Sequence, residues 1–288
     1  SQRCRSRLVD DALHLEASDL AGILGGLSLG VIEVSGHGDY GARDIFAASN
    51  HGYPEHIEAF YHKVRSDDHY MAYAIVPPQI DRSQPAHAQA EPFLYAGVAD
   101  ERDEGLVIRG AQMIATSAVI ADWLFVSYIP PLVEGDERYA ISVVIPCSAP
   151  GLRIYPRKPY ADLADNVFDY PLSSRFDETD SLVVFDDVLV PWEHVFAYGD
   201  ISLTQAQFHD TGAHRMANFQ SLVRFTVKLR FATGLARRLT EVQGTAEIPA
   251  IQAILGGQIA TFAIALESVM MGAEQECSLR QGMAIPSG

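Results

Sequence analysis

The sequence predicts an α+β protein in three consecutive parts: an N-terminal helical region, a central antiparallel β-barrel or sandwich, and the start of a C-terminal helical bundle. Two observations favour this order. Short β-branched and aromatic runs are confined to the middle of the chain, and apolar residues at helical spacing mark the segments on either side. The predicted boundaries are residues 1–75, 76–204 and 205–288.

The composition describes a globular chain and narrows the class of ligand. Of its 288 residues, 48% are hydrophobic and 20% are charged, which permits a sizeable buried core. The formal net charge of −16 argues against nucleic acid and against acidic membrane surfaces, since both recruit Lys and Arg. No uninterrupted apolar run reaches the ~18 residues of a membrane span, and the start lacks a signal-peptide core, so we expect a cytoplasmic protein.

The N-terminal part contains turn signals at Gly25-Gly26, Gly36-His37-Gly38 and Gly52, which favour short helices joined by irregular loops. A helix is predicted over residues 56–74, where apolar side chains fall on one face until Pro77-Pro78 stops it. The first residues of the chain look like an interior segment of a longer protein.

The central part has the alternating, turn-bounded texture of strands. Five runs are predicted as strands: LVIRG (106–110), WLFVSYI (123–129), YAISVVI (139–145), GLRIY (151–155) and SLVVFDDVLV (181–190). No helical segment separates them, which favours an antiparallel barrel or sandwich over a doubly wound sheet. Neither the dinucleotide fingerprint nor the P-loop motif occurs.

Two long amphipathic helices are predicted in the C-terminal part. The first follows the spacing from Leu222 to Leu239 and ends near Gly244, and the second begins at Pro249 and continues to about Met271. Such a hairpin needs further helices, or partner subunits, to cover its apolar faces. We therefore expect that part of the bundle is missing from this chain or is supplied by oligomerisation.

Four segments carry a family resemblance. PPQIDRS (77–83) resembles a PQxDRS motif, DEGLVIRGAQMIATS (103–117) is similar to DGIVVRGAKMLATS, and VKLRFATGLA (227–236) resembles KLRFLxGLA. FDDVLVPW (185–192) matches a pattern shared with acyl-CoA dehydrogenases. In this order they resemble the 4-hydroxyphenylacetate 3-monooxygenase large-component family, a flavin-dependent branch of the acyl-CoA dehydrogenase-like fold.

The resemblance implies a two-component monooxygenase. A separate flavin reductase would supply FADH2, with FMN as an alternative, O2 would add at the flavin C4a carbon, and the resulting hydroperoxide would hydroxylate a phenol-like ring. The main task of such a protein is to position the reactants and exclude water. Family members form homotetramers or homodimers, so we expect a homo-oligomer.

The resemblance also transfers cofactor-binding roles to individual residues. Arg82 suits a flavin phosphate or a structural pair with Asp81. The hydroxyl of Thr116 would lie beside the isoalloxazine ring, where it could serve N5 or the C4a adduct. The structural alternative is a simple turn with an Asp–Arg clasp and an ordinary strand residue. The expected cofactor-binding residues are Gln79, Ile80, Asp81, Arg82, Thr116 and Ser117.

The predicted substrate side departs from the family pattern. Tyr73 stands where the family has a histidine that binds or deprotonates the phenol, and Tyr40 is kept from a loop that has lost its arginine. A tyrosine is a poor proton acceptor at neutral pH but a good hydrogen-bond donor. The expected catalytic residues are Tyr73, Tyr40 and His214, and the expected substrate-binding residues are Tyr40, Tyr73, Ser127, Tyr128 and Phe219.

The lost arginine predicts that the substrate is not a small phenol carboxylate. A bulkier or neutral aromatic, including a natural product or a carrier-bound ring, fits better. In the simplest alternative, Tyr73 and Phe219 only pack.

Other classes remain open or are excluded. An acyl-CoA-dehydrogenase-like flavin dehydrogenase and a non-catalytic flavin-binding subunit are the alternatives. The three cysteines, far apart in sequence, and the pair His209 and His214 do not have metal-ligand spacing, so neither a metal site nor an iron–sulfur cluster is predicted.

Overall fold

The computed structural model describes residues 39–49, 51–175, 177, 179–281 and 283–286. The chain divides into two compact units after His214, and each unit is described by itself. The first unit holds the β-sheets and the second holds most of the C-terminal helices.

In the described part of the first unit, a 3₁₀ segment, Arg43–Ala48, precedes helix α1, Tyr53–Asp67. Pro54 lies in the first turn of α1, where a missing N–H costs no helical hydrogen bond. Eight strands follow: β1 (Met71–Ala74), β2 (Gly97–Arg102), β3 (Gly105–Gln112), β4 (Trp123–Val126), β5 (Ile141–Pro146), β6 (Leu152–Pro156), β7 (Ser181–Pro191) and β8 (Val195–Tyr198). Helix α2, Ile201–His209, is capped by Asp200, whose carboxylate accepts the N–H of Leu203.

The predicted helix over residues 56–74 is too long. It ends at Asp67 because Asp68 adopts the left-handed conformation, with φ 54°, and donates its N–H to Val64 O. The next residues turn into strand β1, and the Tyr70 N–H is held by the Asp122 carboxylate at 2.8 Å. The prediction was wrong here because four mostly apolar residues fit either a helix face or a short strand.

The eight strands form two four-stranded sheets, in the orders β1-β4-β5-β8 and β2-β3-β7-β6. Every pair is antiparallel except β1 with β4, which is parallel. The inner faces share one core of Val, Ile, Leu and aromatic side chains, including the fully buried Leu106, Ile108, Leu124 and Ile145. The α+β class with a central, mainly antiparallel β domain is confirmed.

All five predicted runs are strands in the structure, as β3 to β7. Three of the eight strands in the first unit went unpredicted: β1, β2 and β8. β2 has an exposed polar second half, and β1 and β8 have only four residues each. Strands so short show little alternation by which to detect them.

The two predicted C-terminal helices are confirmed. Helix α3, Ala213–Val242, crosses the division between the units, and Gly244 follows it with φ 69°. The second helix consists of α4 (Pro249–Ala253), a π-helical segment (Ile254–Ile259) and α5 (Ala260–Gln275). A hairpin of β9 (Ser278–Arg280) and β10 (Met283–Ile285) follows.

Many apolar side chains of this second unit are exposed, among them Phe231, Leu235, Phe262 and Ile264. The stretch Pro249–Gln275 is also long and apolar enough to cross a membrane by length and composition alone. A single helix of this kind is weak evidence, because the core helix of a soluble protein passes the same test.

Gly110 offers a test of the sheet packing. It lies at a bulge in β3 with φ +118°, and a Cβ atom there would come within 2.0 Å of the Tyr95 carbonyl oxygen. We expect Gly110→Ala to lower the free energy of unfolding by more than ~3 kcal/mol, since backbone strain and a clash act together. Urea unfolding measures the change.

Gly234→Ala in α3 is the matched control, because nothing lies within 4 Å of its added Cβ. There the change should be neutral or raise stability by up to ~1 kcal/mol. Equal effects of the two substitutions would contradict this account of the bulge.

Candidate functional site

A small pocket, partly open to solvent, lies in the first unit and is the cavity described below. Three elements bring its walls together: strand β1, strand β4 with the residues after it, and helix α2. The parallel register of β1 and β4 places Tyr73 directly beside Phe125, with ring centroids 5.2 Å apart. The lining residues are Asp39, Tyr73, Phe125, Ser127, Tyr128, Gln207, Phe208 and Ala213.

The amide of Gln207 organises the polar side of this cavity. Its Nε2 donates to Asp39 Oδ2 at 2.6 Å and to Ser142 Oγ at 2.8 Å, and its Oε1 accepts from Ser127 Oγ at 3.1 Å. Both amide hydrogens therefore have acceptors, and the orientation of the amide follows from its partners. All four side chains are buried.

Asp39 is a buried acid. It is only 2% exposed, its Oδ2 accepts from Gln207, and its Oδ1 has no hydrogen-bond partner. Burial raises the pKa of Asp39 to about 8, and the hydrogen bond from Gln207 offsets only part of that shift. At neutral pH the carboxyl group is therefore mostly protonated.

Tyr128 supplies a second neutral hydroxyl to the cavity wall. Its phenol oxygen donates to Ala96 O at 3.1 Å, and burial raises its pKa well above the ordinary value. It therefore stays protonated over the working pH range. Gln112 lies fully buried nearby in β3, and its interaction with the Tyr128 hydroxyl group offsets part of that rise in pKa.

The predicted substrate residues separate into two groups. Tyr73, Ser127 and Tyr128 line the cavity. Tyr40 does not, because its ring stacks on Tyr61 with centroids 4.1 Å apart.

The last two predicted residues also lie off the cavity lining. His214 contacts the ring of Phe208, a lining residue, at 5.2 Å between centroids. Phe219 lies in the second unit, where it packs against Cys277 and Ala284.

The two segments predicted to bind flavin start from one point of the structure. An isolated bridge joins Val76 to Met113, and the Met113 N–H donates to Val76 O at 2.8 Å. The motif 77–83 leaves this bridge on one side and residues 114–117 leave it on the other. Val76 and Met113, which precede the two segments, thus become neighbours although they are 37 positions apart in the sequence.

The segment 114–117 has an unusual backbone. Ile114 and Ser117 both have positive φ, at 58° and 60°, which is uncommon for residues other than glycine. Hydrogen bonds hold this shape, since Ala115 exchanges two of them with Ser181. The Thr116 hydroxyl donates to Asp180 Oδ1 at 2.5 Å, so toward any other group it presents lone pairs.

The expected clasp between Asp81 and Arg82 is replaced by a local turn. Asp81 Oδ1 accepts from both the backbone N–H and the hydroxyl of Ser83, and these bonds lower the pKa of Asp81. Arg82 is exposed and makes no ion pair with any residue in the described ranges. Gln79 is exposed as well, and Ile80 is half-buried.

These residues fit a flavin. The ring system needs apolar surface, and Ile114 and Val119 are 49% and 48% exposed beside Thr116. The phosphates need a cation, which Arg82 can supply. A metal-binding group of three His, Cys, Asp or Glu side chains is absent from the part of the chain that the structure describes.

Several site residues were not predicted from the sequence. Asp39 stands next to the predicted Tyr40, but a sequence does not show that a carboxyl group is buried. Gln207 and Phe208 lie on α2, a nine-residue helix without a clear apolar face. Asp180 follows a polar loop, and no local pattern connects it with Thr116.

Asp39 makes a pH dependence of stability testable. Its pKa rises from 3.8 to about 8 on folding, so within that window the folded protein holds a proton that the unfolded chain has released. The free energy of unfolding must therefore fall as the pH rises from 4 to 8, by on the order of 5 kcal/mol at most. Asp39→Asn removes the ionisation.

Urea unfolding of both proteins at several pH values measures this effect. The variant should gain stability over the wild type steadily from pH 4 to pH 8, with no further gain above that. A difference that stays constant across the range would show that Asp39 ionises normally in the folded state.

Comparison with known proteins agrees with this geometry. Residues 11–197 match the model of the 4-hydroxyphenylacetate 3-hydroxylase N-terminal domain, and residues 204–288 match the C-terminal domain of the same family. The oxygenase component of 4-hydroxyphenylacetate 3-monooxygenase from Thermus thermophilus is 33% identical over 235 residues, 81% of this chain and 48% of that protein.

Two further relatives extend the comparison. The pyoverdin chromophore biosynthetic protein PvcC from Pseudomonas aeruginosa is 36% identical over 74% of this chain and 43% of its own length. The crystal structure of a 4-hydroxyphenylacetate 3-monooxygenase oxygenase component, complexed with FAD and 4-hydroxyphenylacetate, superposes with a TM-score of 0.84 at 30% identity, covering 92% of this chain and 54% of that one.

The chain spans about half the length of the relatives it matches. The two family models nevertheless account for almost all of it, in the expected order and without overlap. The fold is that of the superposed oxygenase component, with an acyl-CoA dehydrogenase-like arrangement of sheets followed by helices. The chain belongs to the 4-hydroxyphenylacetate 3-hydroxylase family.

Proposed function

We propose that this chain is the flavin-binding and substrate-binding part of a reduced-flavin-dependent monooxygenase that hydroxylates a phenol-like aromatic compound. The observation that carries the proposal is the cavity itself. Aromatic rings line it, Asp39, Ser127 and Gln207 provide buried polar groups, and most of the side chains that line it are buried. A dry pocket with a few fixed hydrogen bonds is what oxygen transfer to a ring requires.

FAD is the proposed cofactor, since the superposed relative was crystallised with it. When bound, the reduced flavin supplies the chemistry that activates O2. This chain would hold it with Arg82 on a phosphate, Ile114 and Val119 against the ring system, and the Thr116 oxygen as a hydrogen-bond acceptor. A separate reductase would deliver the reduced flavin, as the description "oxygenase component" of the relatives suggests.

The proposed substrate is a neutral or bulky aromatic. Neither Lys, Arg nor His lines the cavity among the residues that the structure describes, so an anionic side group would lack a partner there. A relative that acts in pyoverdin chromophore biosynthesis supports a natural-product or carrier-bound ring.

The remaining proposals concern organisation. The flavin-binding domain would comprise residues 76–204, between helical regions at 1–75 and 205–288. The exposed apolar side chains of the C-terminal helices would be covered in a homotetramer or homodimer. A cytoplasmic location fits an enzyme that depends on a reductase.

A substrate comparison tests the proposed function. Given FAD, NADH and a flavin reductase, the chain should convert 4-methylphenol to a catechol with O2 consumption. The kcat/KM for 4-hydroxyphenylacetate should be lower than that for 4-methylphenol by a factor of ~10 or more, because its carboxylate must be desolvated without a cation. Product analysis by chromatography gives both rates.

Flavin oxidation without hydroxylated product from either compound would contradict the monooxygenase proposal. Equal kcat/KM values would contradict the proposed preference for a neutral ring. An assay without the chain corrects for hydroxylation by free peroxide.

The cofactor assignment is tested at Arg82. We expect Arg82→Ala to weaken FAD binding ~10-fold, the usual effect of losing one charge-assisted hydrogen bond to a phosphate. Arg102→Ala is the matched control, because Arg102 is an exposed arginine that is already paired with Asp100 at 2.8 Å. Fluorescence titration with FAD measures both, and equal weakening would remove Arg82 from the site.

A further inference from the structure

The proton of Asp39 has one place to reside. Gln207 uses both amide hydrogens, one on Asp39 Oδ2 and one on Ser142, while Ser127 fixes its carbonyl oxygen. Because Oδ2 already accepts a hydrogen bond, a proton on the carboxyl group sits on Oδ1. That oxygen is buried, belongs to a residue lining the cavity, and has no other partner.

We propose that Oδ1 of Asp39 accepts the hydroxyl proton of the phenolic substrate bound in this cavity. The proposal rests on the proposed function and names the base that it requires. In the step, which starts from the ionised form of Asp39, the phenol O–H bond breaks, its electron pair stays on the oxygen, and the proton forms a new O–H bond with Oδ1. The products are a phenolate, which is a more electron-rich ring, and a neutral carboxyl group.

The acidity of the carboxyl group suits this transfer. A carboxylate of ordinary pKa is about 10⁶-fold too weak to deprotonate a phenol of pKa ~10. With the pKa of Asp39 raised to about 8, the difference falls to about 100-fold, which a catalysed step tolerates. The transfer moves one negative charge from the carboxylate to the phenolate oxygen and leaves the net charge of the cavity unchanged.

Other groups around the cavity are less suited to accept the proton. Tyr128 already donates to Ala96 O and its pKa is raised further, and Tyr73 is a phenol like the substrate. Gln207, Ser127 and Ser142 do not titrate.

Charged and titratable groups on adjoining elements are occupied elsewhere. On the segment of Asp39 itself, Arg43 donates to Tyr40 O and pairs with Glu58. From α1, Tyr61 and His62 face Tyr40, and His214 contacts Phe208. None of them contributes to the pKa shift of Asp39, whose causes are burial and Gln207.

The assignment is tested by measuring the binding of 4-methylphenol by calorimetry, under conditions in which the probe is not hydroxylated. The ionised fraction of a group of pKa 8 rises about tenfold between pH 7 and pH 9, and the probe stays mostly neutral there. We expect the wild-type affinity to rise ~10-fold over this range. The methyl ether of the same probe, which has no hydroxyl proton, should show no rise.

Asp39→Asn should abolish the rise while preserving the fold, since asparagine has the shape of the protonated acid. Asp187→Asn is the matched control: the same chemical change at an exposed residue, in a left-handed conformation that asparagine tolerates. It should keep the rise. Gln207→Leu removes the bond that lowers the pKa of Asp39, so it should move the rise to higher pH and gives a second test if Asp39→Asn fails to fold.

A rise that survives in Asp39→Asn, a flat wild-type profile, or no binding of the phenol at any pH would overturn the assignment. Turnover separates it from the proposed function. If the affinity of the wild type rises with pH but no hydroxylated product forms, only the monooxygenase proposal is contradicted. We expect Asp39→Asn to lower kcat ~100-fold; hydroxylation with an unchanged kcat would contradict only the assignment of Asp39 as the base.

Discussion

The parallel pairing of β1 with β4 is the constraint on which both halves of the site depend. It begins where the Asp122 carboxylate holds the Tyr70 N–H, and its register fixes Tyr73 beside Phe125. Beyond its end, β4 delivers Ser127 and Tyr128 to the cavity wall. Beyond the end of β1, Val76 pairs with Met113, and the two motif segments start from these paired residues. One short strand pair therefore positions the cavity and the starting points of the segments predicted to bind flavin.

The interior of the cavity is polar but carries little charge. The Gln207 amide joins Ser142 of β5 and Ser127, just after β4, to Asp39, which lies 168 positions before Gln207 in the sequence. Because each of its hydrogens has an acceptor, the network is satisfied except at the Asp39 oxygen. A buried polar network with a single open position is rigid everywhere except at that position, which localises any exchange of protons there.

Secondary structure was predictable where the sequence pattern is long. Segments of the candidate site were predictable where a short motif marks them. Strands β3 to β7 and the two C-terminal helices show clear spacing. Tyr73, Ser127 and Tyr128, which the family resemblance assigned to the substrate, all line the cavity, and their role stays a prediction. Strand β1 was absorbed into a helix because nothing in its four residues marks the left-handed turn at Asp68.

Other parts of the site depend on contacts that only the folded chain creates. The burial of Asp39 requires α2 to lie against the sheet through Gln207, and the partner of Thr116 is 64 positions away. The predicted clasp of Asp81 with Arg82 lost to the adjacent Ser83, whose hydroxyl and N–H reach the carboxylate with less loss of side-chain freedom. Local motifs therefore identified the segments, and long-range hydrogen bonds decided which atoms remain available.

The hydrogen bond from Thr116 to Asp180 decides which kind of group the Thr116 hydroxyl can bind. A free threonine hydroxyl can rotate and either donate or accept, so it does not distinguish a neighbour that brings a hydrogen from one that brings a lone pair. Here the Asp180 carboxylate accepts the hydroxyl hydrogen, so the Thr116 oxygen can only accept a further hydrogen bond. A molecule with an N–H at this position gains a bond, whereas the same molecule stripped of that hydrogen meets two lone pairs and is repelled. Asp180, remote in the sequence, thus makes the Thr116 hydroxyl selective for a neighbouring group that carries a hydrogen.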